Sequence, residues 1–572
     1  MSIKGKIHKI VKKSLADMGA ENIDFAVEYP AILEHGDFAV NVAMIVAKKL
    51  SKNPREIADE LASNLESALG KDKSSVSVAG PGFVNIKLSQ SAILRELEEA
   101  ISEDEKWGKN NTRSGERVSI EYGNPNPFKE MHIGHLMGAV IGEAVSRLIE
   151  SSGAVVVRDT FGGDVGPHVA KALWWLLREG ITEPGSATEI GKAYLKGSNA
   201  YEKSETAKKE IDSLNVTLYE TISMAKDEAG LSNDKRKLLA MWRTGRELSM
   251  QEHRRVFALI GTKFDYEFFD SDTVAPGIRV VNDGLKKGIF EKSDGAVVYH
   301  GEKHGLHTLV FITSRSTPTY ETKDIGLAFL REEHITSEKV IIITGTEQIG
   351  HFNVVLSALS EIAPGIAKKT THVPHGLLRL TTGKMSSRKG NVITGSGLIQ
   401  EVIEKALERN KDPVVAEQVA IGAIKYMILR QSPGAEIVFD TEKSLSLDGD
   451  SGPYLQYALV RAQSVLRNAK KTKNIKNIDA PILTDDTPET PYDISRLIVR
   501  FPEIVANAER LLAPNLLTTY LTELAGKWNS FYAKERIIGG EYEAYKLSLA
   551  RAFIKTMTNG LTILGIEAPK KM

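Results

Sequence analysis

The chain contains no cysteine among its 572 residues, which excludes disulfide bonds and metal sites built from thiolates. It also has no continuous apolar run of about 18 residues, so the sequence predicts no membrane-spanning helix. The charges balance, with 74 Lys and Arg residues against 74 Asp and Glu residues. A global positive field is therefore excluded, and any contact with nucleic acid must come from local basic patches.

The N-terminal segment lacks the continuous apolar core of a secretory signal, although residues 1–19 are basic. Its apolar residues instead follow the spacing of one face of an amphipathic helix, and they are Ile3, Ile7, Ile10, Val11 and Leu15. These features, with the absence of cysteine, favour a cytoplasmic localisation. Hydrophobic residues make up 42% of the chain, which is enough for large cores, and the length predicts several domains.

The order of helical and strand-like patterns predicts three regions. Residues 1–112 combine helical patterns with a strand-like unit at 76–89 and end in a polar, turn-rich stretch. Residues 113–415 alternate helices with strand-like runs, which is typical of a parallel, doubly wound sheet, and the runs are 118–122, 154–161, 308–314 and 339–345. A charged helical stretch at about 184–260 interrupts this alternation as an insertion. Residues 416–572 are almost entirely helical in pattern and predict a helical bundle.

The most informative segment begins with the strand-like run at 118–122 and continues, through a loop with two prolines, into an apolar-periodic stretch of helical character. Strand, turn and helix in this order place the backbone N–H groups of a helix N-terminus against an anion. Gly134 lets a ligand lie against the backbone because it has no Cβ atom. His132 and His135 flank this glycine with imidazoles that can donate hydrogen bonds to phosphate oxygens.

A second segment, residues 383–394, places Lys384, Arg388 and Lys389 among glycines and serines. This composition is typical of a polar loop whose cations contact phosphates, and equally of a solvated basic loop. Together, the two segments resemble the HIGH and KMSKS elements of the class I aminoacyl-tRNA synthetases, which bind ATP from both sides of a Rossmann-type sheet. The resemblance implies an ATP site made of His132, Gly134, His135, Lys384, Met385, Ser386, Arg388 and Lys389.

The second element departs from the family pattern at Ser387, which stands where the family usually has a second lysine. Lys384 is therefore the first candidate for the pyrophosphate contact. Arg388 and Lys389 follow immediately and are the candidate substitutes for the missing lysine.

Within that class, the chain resembles the arginyl-tRNA synthetases along essentially its whole length. The matching segments occur in the family's order, at 35–44, 80–89, 155–173, 318–328, 344–352, 452–464 and 562–572. The KMSKS-like element and the Gly-Asp-Val-Gly turn are more similar to archaeal-type members. The resemblance implies an α/β fold with a Rossmann-type catalytic domain (113–415), an α+β N-terminal tRNA-binding domain (1–112) and an all-α anticodon-binding domain (416–572).

The guanidinium of arginine is planar and permanently charged, so a selective pocket needs carboxylate acceptors in a fork-like arrangement. Tyr320 and Asp324 are four residues apart and share a face on a helix, where Asp324 can accept from the guanidinium and Tyr320 can flank it. Asp270 stands where the family often has a glutamate that faces the guanidinium. The resemblance adds further arginine contacts, namely Gln348 and, at the α-amino and carboxylate ends, Glu121 and Asn126.

Each of these residues also has a simpler interpretation. Tyr320 is then an ordinary core tyrosine, Asp324 a carboxylate on a helix surface and Glu121 a solvated residue at a strand end. His351 is simply packed, lies close to the nucleotide, or supports a residue that contacts the substrate. Asp164 is expected to stabilise its own glycine-rich turn, a role that aspartate often has.

The resemblance implies a two-step reaction. The arginine carboxylate attacks the α-phosphorus of ATP to give arginyl-adenylate and pyrophosphate, and the 3′-terminal adenosine of tRNA(Arg) then takes the arginyl group. Catalysis would consist of positioning and electrostatic stabilisation, with hydrogen-bond donors supplied by Lys129, His132, His135 and Lys384. Lys129 would contact the α-phosphate, unless it is an ordinary surface lysine. Mg²⁺ would accompany ATP, held by phosphates and water. Members of the family typically need bound tRNA for the first step.

Contacts with tRNA are expected at both ends of the chain. Phe83 and Asn85 match family positions that stack on and hydrogen-bond an unpaired base, the alternative being a core phenylalanine and an ordinary strand residue. The basic run at 467–477 is expected to be a solvated connection with some attraction for phosphate. The C-terminal candidates include core residues, since helical spacing cannot separate core from surface, and they are Tyr454, Tyr457, Arg461, Trp528, Asn529 and Tyr532.

Four other interpretations compete with this one. A cysteinyl enzyme normally needs zinc-binding cysteines, which are absent here, and a class I lysyl enzyme would lack the N-terminal domain. The third is a catalytically inactive paralogue that only binds tRNA, against which the retained candidate site residues argue. The fourth is a generic nucleotidyltransferase, which shares a HIGH-like element but would not explain the helical C-terminal region. The family is usually monomeric, so a monomer is expected.

Overall fold

The computed structural model describes residues 3–30, 33–225, 228–380, 394–473 and 486–572. The chain divides into two compact units. Unit 1 comprises residues 1–108, 458–504 and 520–560, and unit 2 comprises residues 109–457, 505–519 and 561–572. Residues 383–393 of the predicted basic segment lie outside the described residues, as does part of the run at 467–477.

The N-terminal part of unit 1 combines a small antiparallel sheet with four helices. In chain order its elements are α1 (Ile3–Asp17), β1 (Val27–Glu28), β2 (Phe38–Val40), α2 (Val42–Leu50), α3 (Pro54–Leu69), β3 (Lys73–Ala79), β4 (Phe83–Leu88) and α4 (Gln90–Ser102). The strands are ordered β1-β2-β4-β3. Helix α1 buries four of its five predicted apolar residues, and only Ile10 is half-buried, which confirms the predicted amphipathic face.

Unit 2 is built around a five-stranded parallel sheet. Its elements up to the end of that sheet are β5 (Arg117–Glu121), α5 (Ile133–Glu150), β6 (Val155–Gly162), α6 (Pro167–Arg178), α7 (Ala187–Lys203), α8 (Glu205–Ser223), α9 (Asn233–Leu259), β7 (Tyr266–Phe269), α10 (Asp270–Lys286), β8 (Glu291–Ser293), β9 (Ala296–Tyr299), β10 (Leu309–Ile312), α11 (Tyr320–His334), β11 (Lys339–Gly345), α12 (Ile349–Ile362), α13 (Pro364–Lys369) and β12 (Thr370–His375). The parallel strands are ordered β12-β11-β5-β6-β7. The chain order therefore reverses between β11 and β5.

Strand β10 does not join the parallel sheet, so the prediction for residues 308–314 is wrong in that respect. It pairs antiparallel with β9, in a separate sheet ordered β10-β9-β8. The physical reason is the short connection from β9, which ends at Tyr299, to β10, which begins at Leu309. A parallel crossover needs a longer connection, usually with a helix, whereas a short loop joins antiparallel strands.

The remaining elements are mostly helical, as predicted for the C-terminal region. They are β13 (Leu378–Leu380), α14 (Gly395–Arg409), α15 (Pro413–Leu429), β14 (Ile437–Phe439), α16 (Thr441–Ser444), α17 (Gly452–Lys473), α18 (Asp493–Val499), α19 (Phe501–Arg510), α20 (Pro514–Lys534) and α21 (Glu543–Ile563). Strand β14 is a short exception and pairs in parallel with β13. The predicted fold class is confirmed. Within the described residues, none of the helices is long and apolar enough to cross a membrane.

Helix α5 packs against the parallel sheet through a nearly continuous apolar face. The predicted periodic residues Ile133, Leu136, Val140 and Ala144 are all buried. Gly142 allows the close approach, since a Cβ atom at this position would lie 2.1 Å from Cγ of Tyr122. This contact fixes the helix over the end of β5, with its N-terminus at the carboxyl edge of the sheet.

Candidate active site

A cleft of about 790 Å³ opens at the carboxyl edge of the parallel sheet. Each of the five strands contributes a lining residue at or just after its carboxyl end, and these are Glu121, Gly163, Asp270, Gly345 and His375. In open α/β sheets, ligands bind in the crevice outside these ends, at the point where the strand order reverses. The sheet geometry alone therefore marks this cleft as the candidate active site.

The first predicted motif forms the N-terminus of α5, inside the cleft. His132 is the N-cap residue, and its Nδ1 accepts a hydrogen bond from the Gly134 N–H at 3.1 Å. Because Nδ1 is an acceptor, the proton of the neutral ring lies on Nε2, which is then available as a donor. The His132 ring stacks on that of His135, with centroids 3.7 Å apart.

Both histidines are held neutral. Burial, and then the charge of Lys129, lower the pKa of His132 below its ordinary value. Burial, followed by repulsion from His132 and His253, lowers the pKa of His135 further. Neutral imidazoles at a helix N-terminus donate through one N–H each, and the helix dipole adds attraction for an anion.

The loop between β5 and α5 is held by side-chain hydrogen bonds to the next strand. Asn124 adopts a positive φ of 46°, and its Oδ1 accepts from the Phe161 N–H at 3.0 Å. Asn126 Oδ1 accepts from the Gly163 N–H at 2.8 Å. These bonds place Asn126, a predicted arginine contact, on the cleft wall.

The predicted arginine residues of α11 also line the cleft. Tyr320 and Asp324 both face it, together with Gln348 from the turn that precedes α12. The side chain of Tyr320 is 65% exposed, so the interpretation as a core tyrosine is wrong. An exposed aromatic ring beside a carboxylate is suited to a flat cationic ligand.

Glu121 is buried and paired rather than solvated. Its Oε2 contacts Arg331 of α11, and its Oε1 accepts from Asn124 Nδ2 at 2.8 Å. Arg331 also lies 2.8 Å from Asp159 of β6. Burial raises the pKa of Glu121 to about 7, and the charge of Arg331 opposes this rise.

Asp270 is likewise paired inside the protein. Lys323 Nζ lies 2.6 Å from Asp270 Oδ2, and both side chains are buried. Burial raises the pKa of Asp270 to about 7, against the charge of Lys323. Burial works against the Lys323 ammonium as well, but Asp270 outweighs it and raises the pKa of Lys323.

Asp324 is paired with a histidine. Nε2 of His351 contacts Asp324 Oδ2, while Nδ1 lies 3.3 Å from Glu321 Oε1. Although burial lowers the pKa of His351, the contacts with Asp324 and Glu321 raise it to about 10. The imidazole is therefore charged at neutral pH. Its contact with Asp324 agrees with one of the three interpretations, that of a residue supporting a substrate contact, whereas its charge was not predicted.

Of two predictions about neighbouring residues, the one for Lys129 stays a prediction and the one for Asp164 needs revision. Lys129 is not among the described residues that line the cleft, and its Nζ lies 5.1 Å from the ring centroid of Tyr194. Asp164 does not bond its own turn. Instead it accepts from the Ser271 N–H at 2.9 Å and from Arg246 at 3.1 Å, because the turn is anchored to α10 and α9.

The second predicted motif is outside the described residues. This applies to its five candidates Lys384, Met385, Ser386, Arg388 and Lys389. Among the residues that the structure describes, there is also no group of three or more acidic or histidine side chains that could hold a metal ion.

The candidate RNA contacts of unit 1 separate into exposed and buried residues. Phe83 is 37% exposed and Asn85 is half-buried on β4, so the interpretation of Phe83 as core is wrong. Trp528 is fully buried and stacks on Phe553 with centroids 4.5 Å apart. The prediction of Trp528 as a surface contact is therefore wrong, because its indole belongs to the core.

Two further RNA candidates of unit 1 lie together. The guanidinium carbon of Arg461 is 4.1 Å from the ring centroid of Tyr532, which is half-buried. Tyr454 belongs to unit 2 and is also half-buried. Arg461 and Tyr532 therefore form a combined aromatic and cationic surface of the kind that stacks on bases.

Several site residues were missed by the sequence reasoning. Arg331, Asp159 and Lys323 fix the three-dimensional position of predicted residues, but each lies far along the chain from its partner. The cleft wall also includes Thr344 and Arg379, which carry no distinctive pattern. Lys323 could have been noticed, since it lies between Tyr320 and Asp324 in a matching segment.

Comparison with known proteins identifies the class. Residues 96–441 match the family described as tRNA synthetases class I (R), catalytic domain. Residues 4–88 match the arginyl tRNA synthetase N terminal domain, and residues 455–572 match the DALR anticodon binding domain. The fold and the cleft thus define a class I aminoacyl-tRNA synthetase.

Individual relatives agree with this classification. The chain is 30% identical to the arginine–tRNA ligase of Bdellovibrio bacteriovorus, over 98% of the chain and 97% of the relative. It is 29% identical to the arginine–tRNA ligase of Clostridium beijerinckii, over 100% of both. The solved structure of the Thermus thermophilus arginyl-tRNA synthetase has a TM-score of 0.79 and 25% identity, with 100% of both chains covered. Within the class, the chain therefore belongs to the arginyl-tRNA synthetase family, and the predicted resemblance is confirmed.

Proposed function

We propose that this chain activates L-arginine with ATP in the cleft of unit 2 and transfers it to the terminal adenosine of tRNA(Arg). The observation that carries the proposal is the meeting, in one cleft, of the stacked His132 and His135 with Tyr320, Asp324 and Gln348. The first pair suits an anionic phosphate, and the second group suits a planar cation. The named relatives are all arginine–tRNA ligases, so nothing among them supports the inactive tRNA-binding alternative.

ATP binds with its phosphates at the N-terminus of α5. His132 donates through Nε2, because its Nδ1 is occupied by the Gly134 N–H. Gly134 leaves room for the phosphate, and His135 supports the His132 ring by stacking. Lys384, together with Arg388 and Lys389, provides the second cationic side. Mg²⁺ accompanies ATP and is held largely by phosphate oxygens and water.

Arginine binds with its guanidinium between Tyr320 and Asp324. Asp324 accepts from the guanidinium, and Gln348 completes the polar wall. Glu121 and Asn126 hold the α-amino and carboxylate ends. Asp270 contributes a weaker attraction, since Lys323 already neutralises most of its charge at 2.6 Å.

The chemistry then needs no covalent enzyme intermediate. The arginine carboxylate attacks the α-phosphorus, pyrophosphate leaves, and the donors around the phosphates stabilise the charge that builds in the transition state. Lys129 contributes a cation close to this point, once its ammonium leaves the Tyr194 ring. The adenylate is then attacked by the tRNA hydroxyl.

The flanking regions bind the tRNA. Residues 1–112 present Phe83 and Asn85 to an unpaired base, and residues 416–572 present Arg461, Tyr532 and Tyr454 to the anticodon arm. The exposed face of β4 and the stacked Arg461–Tyr532 pair support this assignment. The chain acts as a monomer in the cytoplasm.

Charging of tRNA(Arg) by the full chain, measured separately with each amino acid, tests the proposal. Charging with arginine alone, lost in the Tyr320→Ala Asp324→Ala double variant, is the expected result. The matched control is Tyr201→Ala Asp212→Ala, which removes a hydrogen-bonded Tyr–Asp pair 3.0 Å apart that lies outside the cleft. Binding of tRNA without charging by any amino acid would favour the inactive paralogue.

A further inference from the structure

Three acidic side chains that line the cleft are each paired with a cation of the protein itself. Glu121 contacts Arg331, Asp270 contacts Lys323, and Asp324 contacts His351. In these three residues, a substrate that carries a guanidinium meets carboxylates whose charge is already compensated. If the guanidinium is to take the carboxylate oxygen that one of these cations now contacts, that pair must open.

The pairs differ in how easily they can open. The side chains of Arg331, Glu121, Lys323 and Asp270 are only 3–6% exposed. Those of His351 and Asp324 are 20% and 16% exposed. Separating a buried ion pair leaves charges without compensation, whereas a pair at the cleft wall can exchange partners with a ligand or water.

His351 also differs in chemistry from the other two cations. Arginine and lysine keep their charge throughout the physiological range, whereas an imidazolium can release its proton and become neutral. If His351 is displaced from Asp324, it need not remain as an unpaired charge. The Asp324–His351 pair is therefore the one whose opening costs least.

The groups that face His351 come from three elements. From α11, Asp324 contacts Nε2 and Glu321 lies 3.3 Å from Nδ1. From α12 itself, the Phe352 ring is perpendicular to the imidazole at 5.1 Å. From β12, burial lowers the pKa of His372 to about 4, and repulsion from the charge of His351 adds to this lowering. Among these described neighbours of His351, the only basic group is His372, which its low pKa keeps neutral.

We propose that His351 is an exchangeable cation of the arginine pocket, which holds Asp324 in place until the substrate guanidinium replaces it. The inference rests on the proposed binding of the guanidinium by Asp324. On exchange, the imidazole releases one proton to solvent, so that the charge around Asp324 is conserved. Protonated enzyme plus arginine gives the complex plus one proton.

The direction of the pH dependence follows from the contacts. While Asp324 and Glu321 hold the imidazole, its pKa is raised to about 10. Once the guanidinium takes Asp324, the larger part of that support is lost, although Glu321 remains, and a positive charge lies nearby, so the pKa of His351 falls toward its ordinary value. At a pH between the pKa values of the free and the bound enzyme, each arginine that binds releases about one proton. The affinity for arginine then rises about tenfold per pH unit.

Calorimetric titration of the full chain with arginine, with and without tRNA(Arg), tests this exchange. At pH 8.0 the heat is measured in two buffers of different ionisation enthalpy, which gives the number of protons released. The affinity is then followed from pH 7.5 to 8.5, above the pKa of about 7 of Glu121 and Asp270. Wild type is expected to release about one proton more than His351→Gln, a difference that cancels the titration of the substrate's own amino group.

The direction in which His351→Gln changes the affinity for arginine is also diagnostic. Because the variant frees Asp324 for the substrate, arginine should bind at least about tenfold more tightly at pH 7.5 than in wild type. The matched control is His304→Gln, which removes a histidine that pairs with Glu361 at 3.2 Å outside the cleft. This control should behave as wild type in both proton release and affinity.

Contrary outcomes are distinguishable. Arginine binding without proton release, or weaker binding by His351→Gln, would overturn the exchange and leave the proposed function intact. Failure of wild type to bind arginine at any pH, with or without tRNA, would overturn the proposed function and the exchange with it. If His351→Gln does not fold, the proton count on wild type is taken with 5-guanidinopentanoate, which keeps the guanidinium and the carboxylate but has no amino group of its own to titrate.

Discussion

Arg331 on α11 and Asp159 on β6 form a buried ion pair, with Nη2 of Arg331 2.8 Å from Oδ1 of Asp159. The same guanidinium contacts Glu121 at the end of β5. One arginine thus ties a helix to two adjacent strands directly beneath the proposed arginine pocket. The position of Glu121 in the cleft depends on this side chain.

Replacing Arg331 with methionine should destabilise the protein strongly. The change leaves the carboxylates of Glu121 and Asp159 buried without their cation, a loss of about 3–5 kcal/mol for a broken buried pair. The midpoint of urea unfolding, followed by circular dichroism, measures the effect. Arg254→Met is the matched control, since Arg254 pairs with Glu267 at 2.6 Å but is 47% exposed, and should cost about 1 kcal/mol or less. Equal losses in the two variants would contradict the prediction.

Two glycines of α5 should respond differently to substitution by alanine. A Cβ atom at Gly134 lies 3.0 Å from ring atoms of His132, so Gly134→Ala should displace that ring and raise the KM for ATP about tenfold. A Cβ atom at Gly142 would lie 2.1 Å from Tyr122 Cγ, so Gly142→Ala should cost about 1–3 kcal/mol of stability. Steady-state charging kinetics and thermal melts separate the two effects. A Gly134→Ala enzyme with unchanged KM would argue against phosphate binding at this position.

Neighbouring residues of β4 provide a test of RNA binding. Phe83 is 37% exposed, whereas Val84 points to the other face and is fully buried. Phe83→Ala should weaken tRNA binding by about 1–3 kcal/mol, the usual range for a base stacked on an aromatic ring, and leave the melting temperature unchanged. Val84→Ala should do the reverse. Filter binding of tRNA(Arg) and a thermal melt measure both, and a Phe83→Ala variant with full tRNA affinity would exclude the stacking role.

The parts of the fold that the sequence predicted are those with a local signal. Strands β5, β6 and β11 and helix α5 follow runs or periods of apolar residues, and each was predicted to within a few residues. Strand β10 has the same kind of apolar run, yet it pairs in an antiparallel sheet. An apolar run shows that a segment is a buried strand, but its partner depends on the length of the connection.

The site shows the same division between local and long-range information. Tyr320 and Asp324 share a helical face because they are four residues apart, which any reader of the sequence can count. The partner of Asp270 is Lys323, 53 residues away, and contacts at such a separation leave no pattern in the sequence. The burial of Trp528 could not be predicted, since helical spacing is the same for a core aromatic and for a surface aromatic.

Acid should destabilise the protein through His253. This histidine donates from Nε2 to the Lys129 carbonyl at 3.3 Å, and its Nδ1 is buried without a partner among the described residues. Burial lowers its pKa to about 4, so the folded state resists a proton that the unfolded state takes up near pH 6.5. The stability that this histidine contributes is complete above pH 6.5 and is lost as the pH falls to about 4, by about 3 kcal/mol at most.

Melting temperatures measured from pH 7.5 to 4.5 check this prediction. His253→Gln keeps a donor for the Lys129 carbonyl but cannot take up a proton, so its stability should fall less steeply with acid than that of wild type. Parallel curves for the two proteins would assign the acid sensitivity to other groups.

The charge of Lys129 should govern how activity changes at alkaline pH. Burial, with a smaller repulsion from Lys171, lowers the pKa of this lysine to about 8. If its ammonium assists at the α-phosphate, kcat/KM for ATP should fall as the pH rises through about 8, because this parameter reports groups of the free enzyme. Lys129→Arg retains the charge, so its profile should remain level to higher pH, even if its maximum is lower. An alkaline fall at the same pH in both enzymes would mean that Lys129 only packs against the Tyr194 ring.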